Sequence, residues 1–159
     1  MTPLVLFFML VAANGAPVLA RRLLKQRYAC AIDGGHLGYD QRPLLGPSKT
    51  WRGLVAGSIA SAIVSSLAGL GFWFGFVFGG LALFGDLLSS FIKRRTGLPS
   101  SARATGLDQI PEALIPCLFA AWWLPVGWLT VIAVTLLFML ADIVLSPLLH
   151  ELGIRREPH

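Results

Sequence analysis

Five runs of apolar residues, separated by polar or glycine-rich connections, dominate the pattern of the chain. They lie at 3–20, 54–70, 72–92, 111–124 and 126–150. A helix needs about 17–25 such residues to cross a bilayer, and each run predicts one membrane helix, although the fourth is short and contains proline. Because the connections at 69–71 and 122–127 are tight, the last four helices form two hairpins. The pattern predicts an all-α, polytopic integral membrane protein of about five transmembrane helices, with a single domain over 1–159.

Small residues recur at every fourth position along the second and third runs. They are Gly53, Gly57, Ser61, Ser65 and Gly69, followed by Gly71, Gly75 and Gly79. Such stripes let helices approach closely in lipid, where the hydrophobic effect does not drive helix association. We expect packing faces rather than binding sites, either within one chain or between the copies of a homo-oligomer.

The composition changes the picture by excluding several classes of protein. The chain has 159 residues, of which 55% are hydrophobic and 13% charged, and its mean hydropathy is +0.71. Soluble domains carry roughly 25% charged residues, so this chain has too little polar surface for a water-facing globule. An ordinary soluble enzyme, a disordered chain and a disulfide scaffold are excluded. Neither Cys30 nor Cys117 has metal-ligand spacing, and we expect both to be packing residues.

The basic residues predict the orientation of the helices in the membrane. Seven of the 13 lysines and arginines lie between the first and second runs, four between the third and fourth, and Arg155 and Arg156 in the tail. With five helices these segments share one side, which the positive-inside rule makes cytoplasmic. The first run has no basic residue ahead of it, so we expect a retained helix rather than a signal peptide. We predict a multi-pass protein of the cell (plasma) membrane, with its N-terminus outside and its C-terminus in the cytoplasm.

One acidic residue, Asp86, lies inside the third run, about six residues from its cytoplasmic end. A carboxylate within a membrane costs roughly 2.5–3.5 kcal/mol at mid-depth and less near an interface, so it needs a reason. Asp86, Ser90 and Lys93 stand at i, i+4 and i+7 and share one helix face. This face predicts a functional site, and the alternative is a structural ion pair of Asp86 with Lys93 or Arg94.

The glycine-rich segment 33–53 precedes the second helix and offers groups that bind phosphate. Gly46, Lys49 and Thr50 follow the order of a phosphate-cradling loop, although the Walker A spacing is not met. Backbone amides, Lys49 and Arg52 are suited to hold anionic phosphates at the N-terminal end of that helix. The alternative is a plain membrane-surface loop.

A second carboxylate, Asp108, precedes the fourth helix on the same side of the membrane as Asp86. Two carboxylates facing basic residues suit Mg²⁺ held jointly by protein and phosphate oxygens. The alternative is that Asp108 only caps the fourth helix. For Asp142, a polar packing contact and an outer role in the site both stay open, and for Asn14, a helix break shared with Pro17 and a substrate contact both stay open.

The residues now in hand resemble those of the CDP-archaeol synthases, relatives of the CDP-diacylglycerol synthases. The resemblance covers nearly the whole chain, and its two specific blocks are 49–53, which reads KTWRG, and 85–95, which reads GDLLSSFIKRR. The other matching pieces are Ala13-Asn14 with Pro17, Asp33-Gly34-Gly35, Asp40 with Arg42, Leu45-Gly46, Leu107-Asp108-Gln109 and Leu152-Gly153.

The resemblance implies cytidylyl transfer, in which CTP and a lipid phosphate give CDP-lipid and pyrophosphate. It implies a divalent metal, usually Mg²⁺, at Asp86 and Asp108, with Lys93 and Arg94 as further catalytic residues. The resemblance also implies nucleotide and phosphate contacts at positions in the two blocks and the other matching pieces. These are Lys49, Thr50, Arg52, Asp33, Asp40, Ser90, Arg95 and Gln109. The partners implied are CTP, a lipid phosphate and membrane lipids, with no nucleic acid, and the active site lies at the cytoplasmic face.

The chemistry of this reaction agrees with the residue types. A lipid phosphate is already ionised at pH 7, because its second pKa is about 6, and it needs no general base. It needs its repulsion from the triphosphate to be neutralised, which is the role of metals and of lysine and arginine clamps. The resemblance implies an archaeal-type 2,3-di-O-geranylgeranylglycerol phosphate or a related lipid phosphate as the acceptor, and the charged residues do not distinguish these lipids because both present the same phosphate.

Two rivals predict other patterns. A CDP-alcohol phosphotransferase would carry a spaced set of aspartates on one helix, which this chain lacks. A small transporter, or a lipid-binding protein without transferase activity, is compatible with glycine-rich helices and an intramembrane aspartate. A transport pathway, however, needs polar groups across the bilayer, whereas here they crowd one side.

Overall fold

The computed structural model describes residues 2–99 and 104–151, and these residues form five helices. They are α1 (Thr2–Leu24), α2 (Trp51–Leu67), α3 (Phe72–Arg95), α4 (Gln109–Trp123) and α5 (Trp128–Glu151). Within those two ranges the only β pairing is two isolated bridges, so the predicted all-α fold is confirmed. The predicted features at Arg103, Leu152-Gly153, Arg155 and Arg156 lie outside the described residues.

Helices α1, α2 and α3 extend beyond their apolar runs into polar residues. α3 continues through its three basic residues to Arg95, and α1 passes Pro17 and ends at Leu24. α2 begins at Trp51, three residues before the apolar run, because the Thr50 hydroxyl accepts from the Gly53 amide at 3.2 Å and caps the helix. By length and composition, α1 and α3 can each cross a membrane.

The helices pack in chain order, α2 between α1 and α3, and α4 between α3 and α5. A buried apolar cluster is contributed by α1, α3, α4 and α5, with Leu6, Met9 and Phe78 among its largest members. Large apolar side chains such as Phe8, Ile63 and Leu136 face outward instead. An outward apolar surface of this kind is what a lipid environment requires.

The predicted stripes of small residues form the contact between α2 and α3. A Cβ added to Gly79 would lie 2.6 Å from the Ser61 Cβ and 3.0 Å from the Ser58 Cα. One added to Gly75 would lie 2.7 Å from the Ala62 Cα. Contacts this close leave no room for a side chain, so the interpretation of the stripes as packing faces is confirmed for this pair of helices.

Candidate functional site

The connection between α1 and α2, residues 25–50, is folded around the carboxylate of Asp33. One Asp33 oxygen accepts from the Gly35 amide at 3.1 Å, and the other from the Leu45 and Gly46 amides at 3.0 and 2.9 Å. Gly46 has φ +98°, a conformation that favours glycine. Partial burial alone would raise the pKa of Asp33, but these amides favour the charged form and hold its pKa below the ordinary value. Asp33 therefore closes the loop.

A short bridge presents Lys49 at the end of this loop. The Ile32 amide donates to the Lys49 carbonyl at 2.9 Å, and the Trp51 amide donates to the Cys30 carbonyl at 3.1 Å. Thr50, between them, caps α2. The hydroxyl of Thr50 thus has a structural partner, and the side chain of Lys49 projects from a fixed backbone.

Lys49 makes a two-pronged ion pair with Asp86 on α3. The Lys49 Nζ lies 2.7 Å from Asp86 Oδ1 and 2.6 Å from Asp86 Oδ2. The side chains are 21% and 30% exposed, so the pair is partly shielded from water. The alternative of an Asp86 pair with Lys93 or Arg94 is not what forms, because the ammonium comes from the α1–α2 connection instead.

A second pair, Lys93 with Asp108, lies two turns further along α3. The Lys93 Nζ is 2.7 Å from Asp108 Oδ1, and the Lys93 side chain is only 11% exposed. Ser89 fixes the approach of the chain, since its hydroxyl donates to the Leu107 carbonyl at 2.6 Å. Asp108 occupies the N-cap position of α4 but makes no side-chain cap bond, and it accepts from the Ala104 amide at 3.1 Å. The capping alternative is therefore not observed.

The start of α4 is held against α3 and α5. A Cβ on Gly85 would lie 2.7 Å from the Glu112 Cα, so α4 meets α3 beside Asp86. The buried Gln109 accepts from the Gly106 amide at 2.9 Å and donates to Asp142 Oδ2 on α5 at 3.0 Å. Asp142 thus has a polar packing contact, and Gln109 serves the same junction. Asn14 in α1 donates to the Leu10 carbonyl at 3.0 Å, a contact within its own helix.

The end of α3 anchors the α1–α2 connection through Arg95. Its guanidinium lies 2.6 Å from Asp40 Oδ1 and donates to the Pro43 carbonyl at 2.7 Å. It also lies over the Phe91 ring, 5.4 Å from the centroid. Any side chain at Gly38 would overlap this guanidinium. Arg95 and Asp40, both expected to contact nucleotide, therefore dock the loop onto α3.

The remaining predicted basic residues differ in their contacts. Arg52 donates to the carbonyls of Lys25 and Arg27 at 3.0 and 2.5 Å and so clamps the start of the connection. Arg94 is only 5% exposed and donates to the Leu98 carbonyl at 2.8 Å. Its Nε has no hydrogen-bond partner among the described residues, which leaves a buried cationic donor unsatisfied. Ser90 is buried beside it on α3.

The site thus gathers charged groups at one end of the bundle into two separate ion pairs, Lys49 with Asp86 and Lys93 with Asp108. Asp86 and Asp108 are each paired with a different lysine. In the described part of the chain, no hydrogen bond joins the two carboxylates. Lys49 and Lys93 are the cations paired with them, and Arg94 follows Lys93 on α3. The other predicted residues build the frame around these pairs.

The carboxylates of the site are the groups that could hold Mg²⁺. Nowhere in the described residues do three or more acidic, histidine or cysteine side chains come together so that they could hold a metal ion. A metal site made only of protein ligands is therefore not built there. Mg²⁺ is usually held by one or two carboxylates together with substrate phosphates and water. Asp86 already holds a cation, the Lys49 ammonium, between its two oxygens. Each of the two carboxylates is of the kind that holds Mg²⁺ together with a phosphate ligand.

Sequence reasoning missed residues whose role is to position others. Ser89, Gly38 and Arg42 were not singled out for any role, although Ser89 bonds the chain next to Asp108. The Arg42 guanidinium donates to the Arg94 carbonyl at 3.5 Å. It also lies where a Cβ would stand on Gly97, which has φ +83°. A serine next to the predicted polar face was the available signal. Nothing in the sequence pairs Gly38 with a residue 57 positions away.

Comparison with known proteins gives one consistent family. The sequence profile of the family described as CarS-like, CDP-archaeol synthase, matches residues 5–156. The chain is similar to the CDP-archaeol synthase of Hyperthermus butylicus, with 42% identity over 106 residues that cover 63% of this chain and 60% of that protein. It is similar to the CDP-archaeol synthase of Pyrobaculum arsenaticum, with 32% identity over 157 residues, 93% of this chain and 89% of that protein.

A solved structure extends the likeness to the fold. It is described as an intramembrane enzyme for archaeal membrane lipids biosynthesis, and it superposes with a TM-score of 0.72 at 27% identity. The alignment covers 89% of this chain and 90% of that one. The predicted polytopic membrane fold is thereby confirmed. The matched segment spans less than two thirds of the Hyperthermus butylicus and Thermococcus onnurineus relatives, at 60% and 66% of their lengths.

Proposed function

The chain belongs to the CDP-archaeol synthase family, and from that premise we propose that it is a CTP-dependent cytidylyltransferase. It converts a membrane lipid phosphate to CDP-lipid and pyrophosphate, in phospholipid biosynthesis. The observation that carries the proposal is the pairing of Asp86 with Lys49 and of Asp108 with Lys93, at the charged end of a membrane-embedded bundle.

The reaction is an in-line displacement at the α-phosphorus of CTP. An oxygen of the ionised lipid phosphate forms a bond to that phosphorus, and the bond from the α-phosphorus to the bridging oxygen breaks. The electron pair leaves with pyrophosphate. Because the nucleophile is already an anion at neutral pH, the step needs charge neutralisation rather than proton removal.

The residues divide into two roles in this reaction. Lys49, Lys93 and Arg94 neutralise charge on the triphosphate and the leaving pyrophosphate, and the unsatisfied Nε of the buried Arg94 supports an anion as its missing partner. Asp86 and Asp108 would hold the divalent ion, Mg²⁺ in our proposal. When bound, that ion supplies electrostatic stabilisation of the phosphates.

The acceptor in our proposal is 2,3-di-O-geranylgeranylglycerol phosphate. The support is the name that the relatives share, CDP-archaeol synthase, since the charged groups themselves would accept any lipid phosphate. The reaction takes place where a lipid headgroup and soluble CTP meet, at the surface of the membrane. We place that surface in the cytoplasm, with the N-terminus outside, because the basic residues crowd one end of the bundle.

Pyrophosphate release by the purified protein in lipid tests the function. The mixture contains CTP, Mg²⁺ and one of two acceptors, the di-geranylgeranyl ether phosphate or phosphatidate, with ATP, GTP and UTP as nucleotide controls. We expect release that needs both CTP and the ether lipid. Release with neither lipid, from protein that elutes as a folded species, would contradict the proposal. Release with phosphatidate alone would leave the transferase and change its acceptor.

A further inference from the structure

The Lys49 ammonium occupies the place on Asp86 that a metal ion would use. Its Nζ is nearly equidistant from the two carboxylate oxygens, at 2.7 and 2.6 Å, so both oxygens are engaged by one cation. A metal ion that binds both oxygens would need the space that the Lys49 ammonium fills. The Asp86 carboxylate can therefore bind either the Lys49 ammonium or, as a bidentate ligand, a metal ion. One of the two must leave when the other binds.

The same competition exists at the second carboxylate. Lys93 Nζ contacts Asp108 at 2.7 Å, and the two side chains are 11% and 23% exposed. Ion pairs shielded from water are screened less than pairs on a surface. Both acids are thus neutralised internally, and a free divalent ion approaching them meets two ammonium groups rather than two bare carboxylates.

A triphosphate changes this balance. It brings negatively charged oxygens that can accept the displaced ammonium groups and can also serve as metal ligands. Mg²⁺ gives up its water reluctantly and is usually bound with substrate phosphates. If nucleotide and metal were to arrive together, each lysine could exchange its carboxylate for a phosphate, and each carboxylate would then be available to hold the metal. The number of charge contacts is conserved in this exchange.

We propose that Lys49 and Lys93 are internal counter-ions that keep Asp86 and Asp108 from binding metal until the metal arrives with the nucleotide. The inference rests on the proposed function and adds an order of binding to it. On this proposal, free metal binds weakly. The binding of metal and the binding of nucleotide are linked, so that each ligand raises the affinity for the other by the same factor. The lysines, as well as the nucleotide, set the size of that factor.

Manganese binding measured without turnover tests the proposal. Mn²⁺ titrations of the full chain in detergent, followed by electron paramagnetic resonance, give the affinity for the free ion. In the wild type we expect CTP to raise Mn²⁺ affinity by at least about tenfold, the scale on which a neighbouring charge biases a carboxylate. In Lys49→Met, without CTP, we expect Mn²⁺ to bind about tenfold more tightly than in the wild type.

Lys93→Met repeats the test at the second pair, so that misfolding of one variant does not decide the outcome. Lys25→Met is the matched control, since Lys25 is an exposed lysine of the same connection, and its Mn²⁺ affinity should equal that of the wild type. The gain in Lys49→Met should disappear in the double variant Lys49→Met with Asp86→Asn.

The outcomes separate this inference from the proposed function. If the wild type releases pyrophosphate but both folded lysine variants bind free Mn²⁺ no more tightly than it does, the counter-ion role is wrong and the transferase stands. Equal Mn²⁺ affinity of the wild type with and without CTP would also overturn it. A wild type that binds no Mn²⁺ with CTP and releases no pyrophosphate would remove both.

Discussion

At the scale of single residues, the site is defined by which cation each carboxylate holds. Asp86 lies on a membrane helix, yet its partner Lys49 comes from the connection before α2, 37 positions earlier. The sequence indicated that Asp86 needed a partner but pointed to Lys93 or Arg94 on the same helix. Helical spacing reports only neighbours on one helix, so a partner brought in by a folded loop has no periodic signal.

Replacement of Asp86 by asparagine should abolish turnover without unfolding the protein. Asparagine has the same size and can still accept a bond from Lys49, but it lacks the charge that holds a metal. We expect pyrophosphate release to fall by about a hundredfold or more. The variant should enter membranes and elute as the wild type does. Turnover like that of the wild type would remove Asp86 from the metal site.

Asp33 predicts a dependence of stability on pH. Its pKa is lower in the folded chain than in the unfolded chain, so its contribution is complete above the ordinary value of about 3.9. That contribution is lost as pH falls through the lower, folded value. Asp33→Asn should be about 1–2 kcal/mol less stable at pH 7, since charge-assisted bonds to three amides are weakened. The thermal midpoints of variant and wild type should converge as the pH falls below the ordinary pKa of Asp33, and a constant difference would contradict this role.

At the scale of elements, the helices were predicted more accurately than the loop that serves them. The apolar runs located all five helices, because a bilayer sets their length and composition. They did not show that the charged end of α3 anchors the α1–α2 connection through Arg95, Asp40 and the bare Cα of Gly38. Such docking depends on tertiary contacts between segments far apart in sequence. For this reason several residues expected at the nucleotide have structural contacts that the sequence did not indicate, and their contact with nucleotide stays a prediction.

Glycine substitutions test the packing of α2 on α3. Gly75→Ala puts a methyl group against the backbone of Ala62, and we expect a loss of about 1–3 kcal/mol from overpacking. Gly15→Ala is the matched control on α1, because nothing lies within 4 Å of its added Cβ. That control should be neutral or stabilised by up to about 1 kcal/mol. Thermal midpoints in detergent distinguish the two, and equal midpoints would contradict the tight contact.

At the scale of the whole molecule, the chain separates an apolar body from one charged end. The connection 25–50 and the described residues 96–99 and 104–108 lie at that end and contribute to the ion pairs, whereas the turns at 68–71 and 124–127 contain no ionisable side chain. Composition and the positions of lysine and arginine predicted this asymmetry directly. The choice of acceptor chain has no such signal, since lipid tails contact apolar side chains of any sequence.

The native cysteines report which side of the membrane the charged end faces. Cys30 is exposed in the α1–α2 connection, and Cys117 is buried in α4. A membrane-impermeant maleimide should label Cys30 in inverted vesicles and leave it unlabelled in spheroplasts. Cys117 should react only after denaturation, which makes it an internal control. Labelling of Cys30 from the outside would reverse the proposed orientation.

The two uncharged turns also bear on how the protein is made. Each one joins a pair of helices, α2 with α3 and α4 with α5, and in the proposed orientation each reaches the far leaflet during biosynthesis. Because neither turn carries an ionised group, a translocon can pass each helical pair into the bilayer as a unit without moving a fixed charge through hydrocarbon. In that orientation the cationic segments stay on the ribosome's side throughout. The lysines and aspartates of the site therefore meet without any of them having crossed the membrane.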